Sequence, residues 1–107
     1  MGTYEKLRSN GLQINPKIVE ALCTRFHIRE FAFFGSAIRE DFADKSDVDV
    51  LISFEEMADI SLFDIIEISQ ELEAVFNRPV DVVEKESLKN PIRKKRILET
   101  REVVYAA

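Results

Sequence analysis

Three short apolar segments limit what this chain can fold into. They are Phe31–Phe34, Val48–Phe54 and Val80–Val83, and each is typical of a strand. The stretches between them carry helical periodicity and helix-start signals. Strands that alternate with helices predict an α/β (α+β) fold, in which helices pack on a small mixed sheet.

Helix-start signals mark the stretches between the strands. Asn15-Pro16 and Asn90-Pro91 each place a capping side chain before a proline at the first helical position. Ser61-x-x-Asp64 resembles a capping box before a longer apolar stripe. These signals predict three helices, over residues 16–26, 61–76 and 91–99, and we expect a shorter one over Ser36–Phe42.

The length of 107 residues predicts a single domain over residues 1–107. Residues 1–13 are mostly polar and predict either a short helix or a flexible N-terminal segment. Val103–Tyr105 can add an edge strand, so the predicted sheet has three to four strands.

Composition excludes several classes of protein. A net charge of −5 argues against non-specific binding of nucleic acid, which depends on many basic side chains. The single cysteine, Cys23, cannot form an internal disulfide, and no apolar run is long enough to cross a membrane. With one histidine as well, a Cys/His metal site cannot be built. We therefore expect a cytoplasmic protein with no membrane partner.

Three aspartates interrupt the apolar segments or adjoin them. Residues i and i+2 of a strand project to the same face, roughly 6.5–7 Å apart, so Asp47 and Asp49 are expected side by side. Carboxylate oxygens are the ligands that Mg²⁺ prefers, and such a pair can hold two ions about 3.5–4 Å apart for phosphoryl transfer. Asp81 lies within the third apolar segment, where it would be a third metal ligand or a general base.

Gly35-Ser36 ends the first predicted strand. Glycine permits a tight turn with close backbone approach, and the N–H groups that begin a following helix bind anions. Ser36 adds a hydroxyl, and Arg39 follows one helical turn later. These residues predict a cradle for a triphosphate, although a Gly-Ser pair alone is a weak signal.

Together, Gly35-Ser36, Asp47-x-Asp49 and the later Asp81 resemble the motif of the minimal nucleotidyltransferases in the DNA polymerase β-like superfamily. The similarity covers roughly residues 15–105, and Arg39 and Ser46 also match the longer pattern GSxxR…SDxD. It implies the nucleotidyltransferase fold. It also implies that the three aspartates are both catalytic and metal-binding, and that the nucleotide-binding residues are Gly35, Ser36, Arg39 and Ser46.

The resemblance implies an activity and a partner as well. Members of this superfamily transfer a nucleoside monophosphate to a hydroxyl with Mg²⁺, with two ions expected here and ATP as the substrate. Small stand-alone members, the MntA-like antitoxins, work with a HEPN-domain ribonuclease toxin and attach AMP to one of its tyrosines. The expected function is therefore that of a protein adenylyltransferase acting as the antitoxin of a toxin–antitoxin pair.

Two other functions stay open: a non-catalytic module that binds the toxin, and nucleotidyl transfer to a small molecule such as an antibiotic. The family usually has glycine after the arginine, whereas this chain has Glu40, which adds negative charge beside the predicted triphosphate site. The basic run Arg93–Arg96 is favoured as a solvated helix face. The alternative is that one or two of its side chains face the triphosphate or an acidic partner.

Overall fold

The four strands of the computed structural model, which describes residues 1–107, form one mixed sheet. Their bounds are β1 (Ile28–Phe34), β2 (Val48–Phe54), β3 (Val80–Glu84) and β4 (Glu102–Ala106). The order across the sheet is β3-β2-β1-β4; β1 is antiparallel to both its neighbours, and β2 is parallel to β3. The predicted mixed sheet is confirmed, with the segment over residues 103–105 inside an edge strand.

The helices are α1 (Thr3–Ser9), α2 (Pro16–Arg25), α3 (Leu62–Phe76) and α4 (Pro91–Thr100). Their caps explain where they begin. The side chains of Asn15 and Asn90 accept hydrogen bonds from N–H groups in the first turns of α2 and α4, and Ser61 forms the predicted capping box at α3. None of the four helices combines the length and the apolar character that crossing a membrane requires.

The sheet has a hydrophobic layer on each face. One face packs against α2 and α3 through a cluster of 18 buried residues, which includes Phe31, Val50 and Leu72. The other face packs against α4 through a smaller cluster of five, which includes Leu51 and Ile97. Strands covered on both faces are expected to be continuously apolar, so a carboxylate within them stands out.

The N-terminal residues form a short helix, the first of the two structures predicted for them. Leu7 and Leu12 are 1% and 2% exposed and belong to the larger core cluster. At the end of α1, the Asn10 side-chain amide donates to the carbonyl oxygens of Ala37 and Arg39, at 2.8 and 3.0 Å. The N-terminal segment is thereby attached to the turn that follows β1.

The helix predicted over Ser36–Phe42 is wrong. The chain instead forms a four-residue 3₁₀ turn, Gly35–Ile38, and becomes extended at Arg39. Asn10 donates to the carbonyl oxygens of Ala37 and Arg39 in this segment, and it lies 27 and 29 residues before them in the sequence. A long-range partner therefore replaces the helical hydrogen bonds that the local sequence favours.

Candidate active site

Asp49 and Asp81 lie at the same level of neighbouring parallel strands. Asp49 is paired in register with Asp81 of β3, and on its other side with Phe34, the last residue of β1. Because adjacent strands are about 4.8 Å apart, the two carboxylates begin close together on the α4 face of the sheet. Asp49 is half-buried, while Asp81 is exposed, as is Asp47 in the loop just before β2.

The three carboxylates interact electrostatically. The pKa of Asp49 is raised from its ordinary 3.8 to about 6, first because the group is buried and then because of the negative charges of Asp81 and Asp47. The positive charges of Arg93 and Arg39 act in the opposite direction. Crowded like charges that raise a carboxyl pKa are relieved when a cation binds among them.

The chemistry of this cluster fits Mg²⁺, which prefers carboxylate oxygens. No three Asp, Glu, His or Cys side chains are arranged as a ready-made ligand set. Asp49 and Asp81, whose backbones are paired in register, are the residues that would hold an ion, with Asp47 joining them from the adjacent loop.

Gly35 lies directly against Asp49. Its φ is +73°, in the left-handed region that residues with a side chain rarely adopt. A Cβ atom built at Gly35 would collide with the Asp49 carboxylate oxygen and lie 3.3 Å from its Cγ. The two halves of the sequence motif, the Gly-Ser turn and the aspartates, therefore meet at this contact.

A cleft of about 700 Å³ opens between the Gly-Ser turn and α4. It is lined on the sheet side by Phe34, Gly35, Ser36, Arg39 and Asp49, and on the α4 side by Arg93, Arg96, Ile97 and Thr100. Arginine side chains bind phosphate through charge-assisted hydrogen bonds. The glycine turn and the Asp49 carboxylate therefore form one wall of the cleft, and the guanidinium groups of Arg93 and Arg96 lie on the opposite wall.

The basic run on α4 divides between two directions. Ile97 is 5% exposed and fixes which face of α4 packs on the sheet. Because residues three and four apart share a helix face, Arg93 and Thr100 lie beside Ile97, with Arg96 adjacent. All four residues of the run are exposed, as predicted for a solvated helix face. Arg93 and Arg96 also line the cleft, which is the position that the alternative describes. The sequence signal for this position was the four-residue spacing between Arg93 and Ile97, which is too weak by itself to decide it.

Arg39 and Ser46 occupy different positions relative to this cleft. Arg39 lines it, but its guanidinium is paired with the Asp41 carboxylate at 3.0 Å. The Ser46 hydroxyl accepts a hydrogen bond from the Ala43 N–H at 3.1 Å, and Ser46 is not among the lining residues. Glu40 lines a separate cleft beside α1, together with Asp41.

Asp81 lines a second, smaller groove of about 340 Å³ on the β3 side of the aspartates. Ile65 of α3 and Leu88 contribute apolar walls to this groove. Arg93 lines both cavities, so they meet at its side chain. The half-buried Asp49 faces the larger cleft and the exposed Asp81 faces the smaller groove.

Comparison with known proteins assigns this arrangement to a family. A family model described as the nucleotidyltransferase domain matches residues 16–104, which include every element from α2 to the middle of β4. The chain belongs to the nucleotidyltransferase domain family. It is accordingly a nucleotidyltransferase, and the family resemblance identified from the motif is confirmed.

Individual relatives extend this assignment. The chain is 46% identical over 81 residues to a protein adenylyltransferase MntA from Thermococcus cleftensis, covering 76% of this chain and 77% of the relative. A crystal structure of a toxin–antitoxin with AMP-PNP matches with a TM-score of 0.70 and 16% identity, over 88% of this chain and 75% of that one. A complex of tri-AMPylated Shewanella oneidensis HEPN toxin with its MNT antitoxin matches with a TM-score of 0.61 and 14% identity, over 94% and 73%. The two structures share the fold of this nucleotidyltransferase.

Proposed function

We propose that this nucleotidyltransferase transfers AMP from ATP to a tyrosine hydroxyl of a HEPN-domain toxin and so acts as its antitoxin. The observation that carries the proposal is that Gly35-Ser36, Asp49 and two α4 arginines line one cleft while Asp81 faces the adjoining groove. The name of the 46% identical relative supports adenylyl transfer to a protein. The tri-AMPylated toxin in the structural neighbour supports the class of partner.

In this proposal the larger cleft binds the triphosphate. Backbone N–H groups of the Gly-Ser turn and the Ser36 hydroxyl donate to phosphate oxygens from one wall, and Arg93 and Arg96 donate from the other. Asp47, Asp49 and Asp81 would hold Mg²⁺, which would supply further neutralisation of the triphosphate charge. These cations would offset the repulsion between the aspartate carboxylates and the four negative charges of ATP.

The acceptor hydroxyl enters from the groove on the β3 side. Asp81 accepts the proton of that hydroxyl at a carboxylate oxygen, a general-base role worth about 10²–10⁴ in rate. The acceptor oxygen forms a bond to the α-phosphorus as the bond to the β-bridging oxygen breaks, and pyrophosphate leaves. Apolar walls from Ile65 and Leu88 suit an acceptor side chain with a hydrocarbon body, such as a phenol.

The single sheet and its helices leave both cavities open, whereas a well-held ligand is usually covered over 70–90% of its surface. The adenine base therefore has few surfaces to contact in the isolated chain. A partner protein that docks across the groove would cover the site and present the acceptor at the same time.

The direct test uses two forms of labelled ATP. The chain is incubated with Mg²⁺, a candidate HEPN-domain partner, and ATP labelled at either the α- or the γ-phosphate. We expect label on the partner from α-labelled ATP alone, since adenylyl transfer releases the γ-phosphate in pyrophosphate. Replacing each partner tyrosine in turn with phenylalanine identifies the acceptor, because only the variants that lack the acceptor tyrosine should lose the label.

Other results would point elsewhere. Label transferred from the γ-position would indicate phosphoryl transfer and contradict adenylylation. If the chain silences the partner without transferring label from either position, the non-catalytic binding module is the correct function. Label recovered only on a small molecule would support nucleotidyl transfer to an antibiotic-like acceptor.

The two α4 arginines give a prediction with an internal control. Arg93→Ala and Arg96→Ala should each weaken ATP binding about tenfold, because a charge-assisted hydrogen bond contributes about 1.5–3 kcal/mol and these groups are partly solvated. Lys94→Ala and Lys95→Ala remove the same charge from the same helix but do not line the cleft. Calorimetric titration of ATP into the four variants should separate the arginines from the lysines. An equal loss in all four would show that only the overall charge of α4 matters.

A further inference from the structure

We propose that Arg78 is a positioning residue that holds Asp47 beside Asp49 and Asp81. Arg78 follows Asn77, whose φ of +53° ends α3, and it lies three residues before Asp81. Neither the motif nor the two cavities include it. Its contacts with the loop that carries Asp47 are the basis of the proposal, and its effect on turnover rests on the function proposed above.

The guanidinium of Arg78 holds the Asp47 loop at several points. Its Nη1 donates to the carbonyl oxygen of Ser46 at 2.8 Å, and lies 3.3 and 3.4 Å from those of Ala43 and Asp44. The guanidinium carbon also lies 4.5 Å from the centre of the Phe42 ring. One half-buried cation therefore binds both the backbone and the aromatic anchor of the loop.

The shortest of these bonds acts on the peptide group that Asp47 shares with Ser46. The peptide group on the other side of Asp47 is held as well, because the Val48 N–H donates to the Pro79 carbonyl oxygen at 3.1 Å. Both peptide groups flanking Asp47 are thus fixed by two consecutive residues, Arg78 and Pro79. The same short segment continues into β3 and delivers Asp81.

This arrangement ties two carboxylates of the site to one piece of backbone. Asp47 lies outside β2 and has no strand partner of its own. Without the Arg78 side chain, the loop would keep the backbone bonds from Ser46 N–H to the Ala43 carbonyl, 2.9 Å, and from Val48 N–H to the Pro79 carbonyl. It would lose all the side-chain contacts that hold the residues before Asp47. The expected result is a mobile Asp47 beside an unchanged Asp49–Asp81 pair.

The chain contains a matched control for the test. The guanidinium carbon of Arg25 lies 4.5 Å from the centre of the Phe26 ring, the same distance as for Arg78 and Phe42. Arg25 is paired with Glu67 and Glu71 on α3 and has no bond to the Asp47 loop. Arg25→Ala therefore removes a stacked, hydrogen-bonded arginine without touching the site.

The first measurement is amide hydrogen exchange in the absence of metal and nucleotide. In Arg78→Ala, the Ser46 and Val48 amides should exchange about tenfold faster than in the wild type, while amides of the β1–β2 ladder stay protected. Arg78→Lys should resemble Arg78→Ala, since lysine lacks the planar guanidinium that stacks on the Phe42 ring. Arg25→Ala should leave both loop amides unchanged. Unaltered exchange in Arg78→Ala would show that the loop is not held by this residue.

The second measurement is the affinity for Mn²⁺ alone, which is monitored through the electron paramagnetic resonance signal of the free ion. We expect Arg78→Ala to bind Mn²⁺ about three- to tenfold more weakly and Arg25→Ala to match the wild type. In turnover, Arg78→Ala should need proportionately more Mg²⁺ but recover kcat at saturation. Faster loop exchange with unchanged Mn²⁺ affinity, or no Mn²⁺ binding by the wild type, would overturn the positioning role. A wild type that binds Mn²⁺ but transfers no AMP would refute the proposed function and leave the role of Arg78 decided by these two measurements.

Discussion

Gly35→Ala is expected to abolish ATP binding while the chain still folds. The added Cβ meets two obstacles at once. The φ of +73° costs a residue with a side chain about 1–2 kcal/mol, and the Cβ collides with the Asp49 carboxylate. The turn must shift away from Asp49 to relieve the collision, which moves the Ser36 hydroxyl and the backbone N–H groups that face the cleft. We expect a loss of at least about 100-fold, because several hydrogen bonds to the phosphates are lost together.

Gly11→Ala is the control that separates the two obstacles. Gly11 has a φ of +76°, nearly equal to that of Gly35, but a Cβ at Gly11 would have no atom within 4 Å. Both variants should lose a similar amount of stability from backbone strain, and Gly35→Ala should lose more because of the collision. Only Gly35→Ala should lose ATP binding in calorimetric titration. Equal ATP binding by the two variants would mean that the Gly-Ser turn does not contact the nucleotide.

A double variant tests the collision itself. In an Asp49→Ala background, the carboxylate that a Cβ at Gly35 would meet is gone. The stability lost on changing Gly35 to alanine should therefore shrink toward that of Gly11→Ala. Such non-additivity between contacting residues is the signature of a direct interaction.

The strands and helix starts could be predicted because their signals are local. Short apolar runs bounded by caps leave few alternatives, and the side chains of Asn15, Ser61 and Asn90 cap helices as the sequence indicated. Because β2 pairs in parallel with β3, Asp49 and Asp81 lie next to each other although they are distant in sequence. A carboxylate in an apolar strand is informative for the same local reason.

The features that escaped prediction depend on contacts distant in sequence. The turn after Gly35 is short because Asn10 binds its carbonyl groups, and no pattern near Ser36 reports that partner. The direction of Arg93 and Arg96 depends on how α4 lies over the second face of the sheet. A helix with one buried residue, Ile97, gives too weak a periodicity to settle this from sequence. The same holds for Arg78, whose acceptors are more than 30 residues away.

Asp49→Asn is expected to abolish transfer and, without metal, to stabilise the fold at neutral pH. Burial and the neighbouring carboxylates raise the pKa of Asp49 to about 6, above its ordinary 3.8. Between these values the folded chain binds more protons than the unfolded chain, so this group makes stability fall as pH rises through about 4 to 6. Above that window the folded chain carries the full cost of an ionised, crowded carboxylate, and asparagine removes it.

The expected gain follows from the exposure of the group. Because Asp49 is only half-buried, solvent screening reduces the effect of the raised pKa to about 1 kcal/mol, which corresponds to a Tm increase of about 4 °C for a chain of this size. Thermal unfolding in chelator should show this increase at pH 7.5 and none at pH 4. Asp59→Asn, which removes an exposed carboxylate that does not line the cleft, should leave Tm unchanged at both pH values.

Metal should reverse the order of the two proteins. Mg²⁺ with ATP stabilises whichever form binds them, by an amount set by concentration and affinity. Wild-type Tm should therefore rise on their addition and overtake that of Asp49→Asn, which has lost a ligand and should respond little. Asp49→Asn should therefore be more stable than the wild type without ligand and less stable than the wild type with it. This reversal is expected of a carboxylate that contributes to ligand binding rather than to folding. If Asp49→Asn is less stable than the wild type in chelator at pH 7.5, Asp49 serves the fold, and the electrostatic account of this site is wrong.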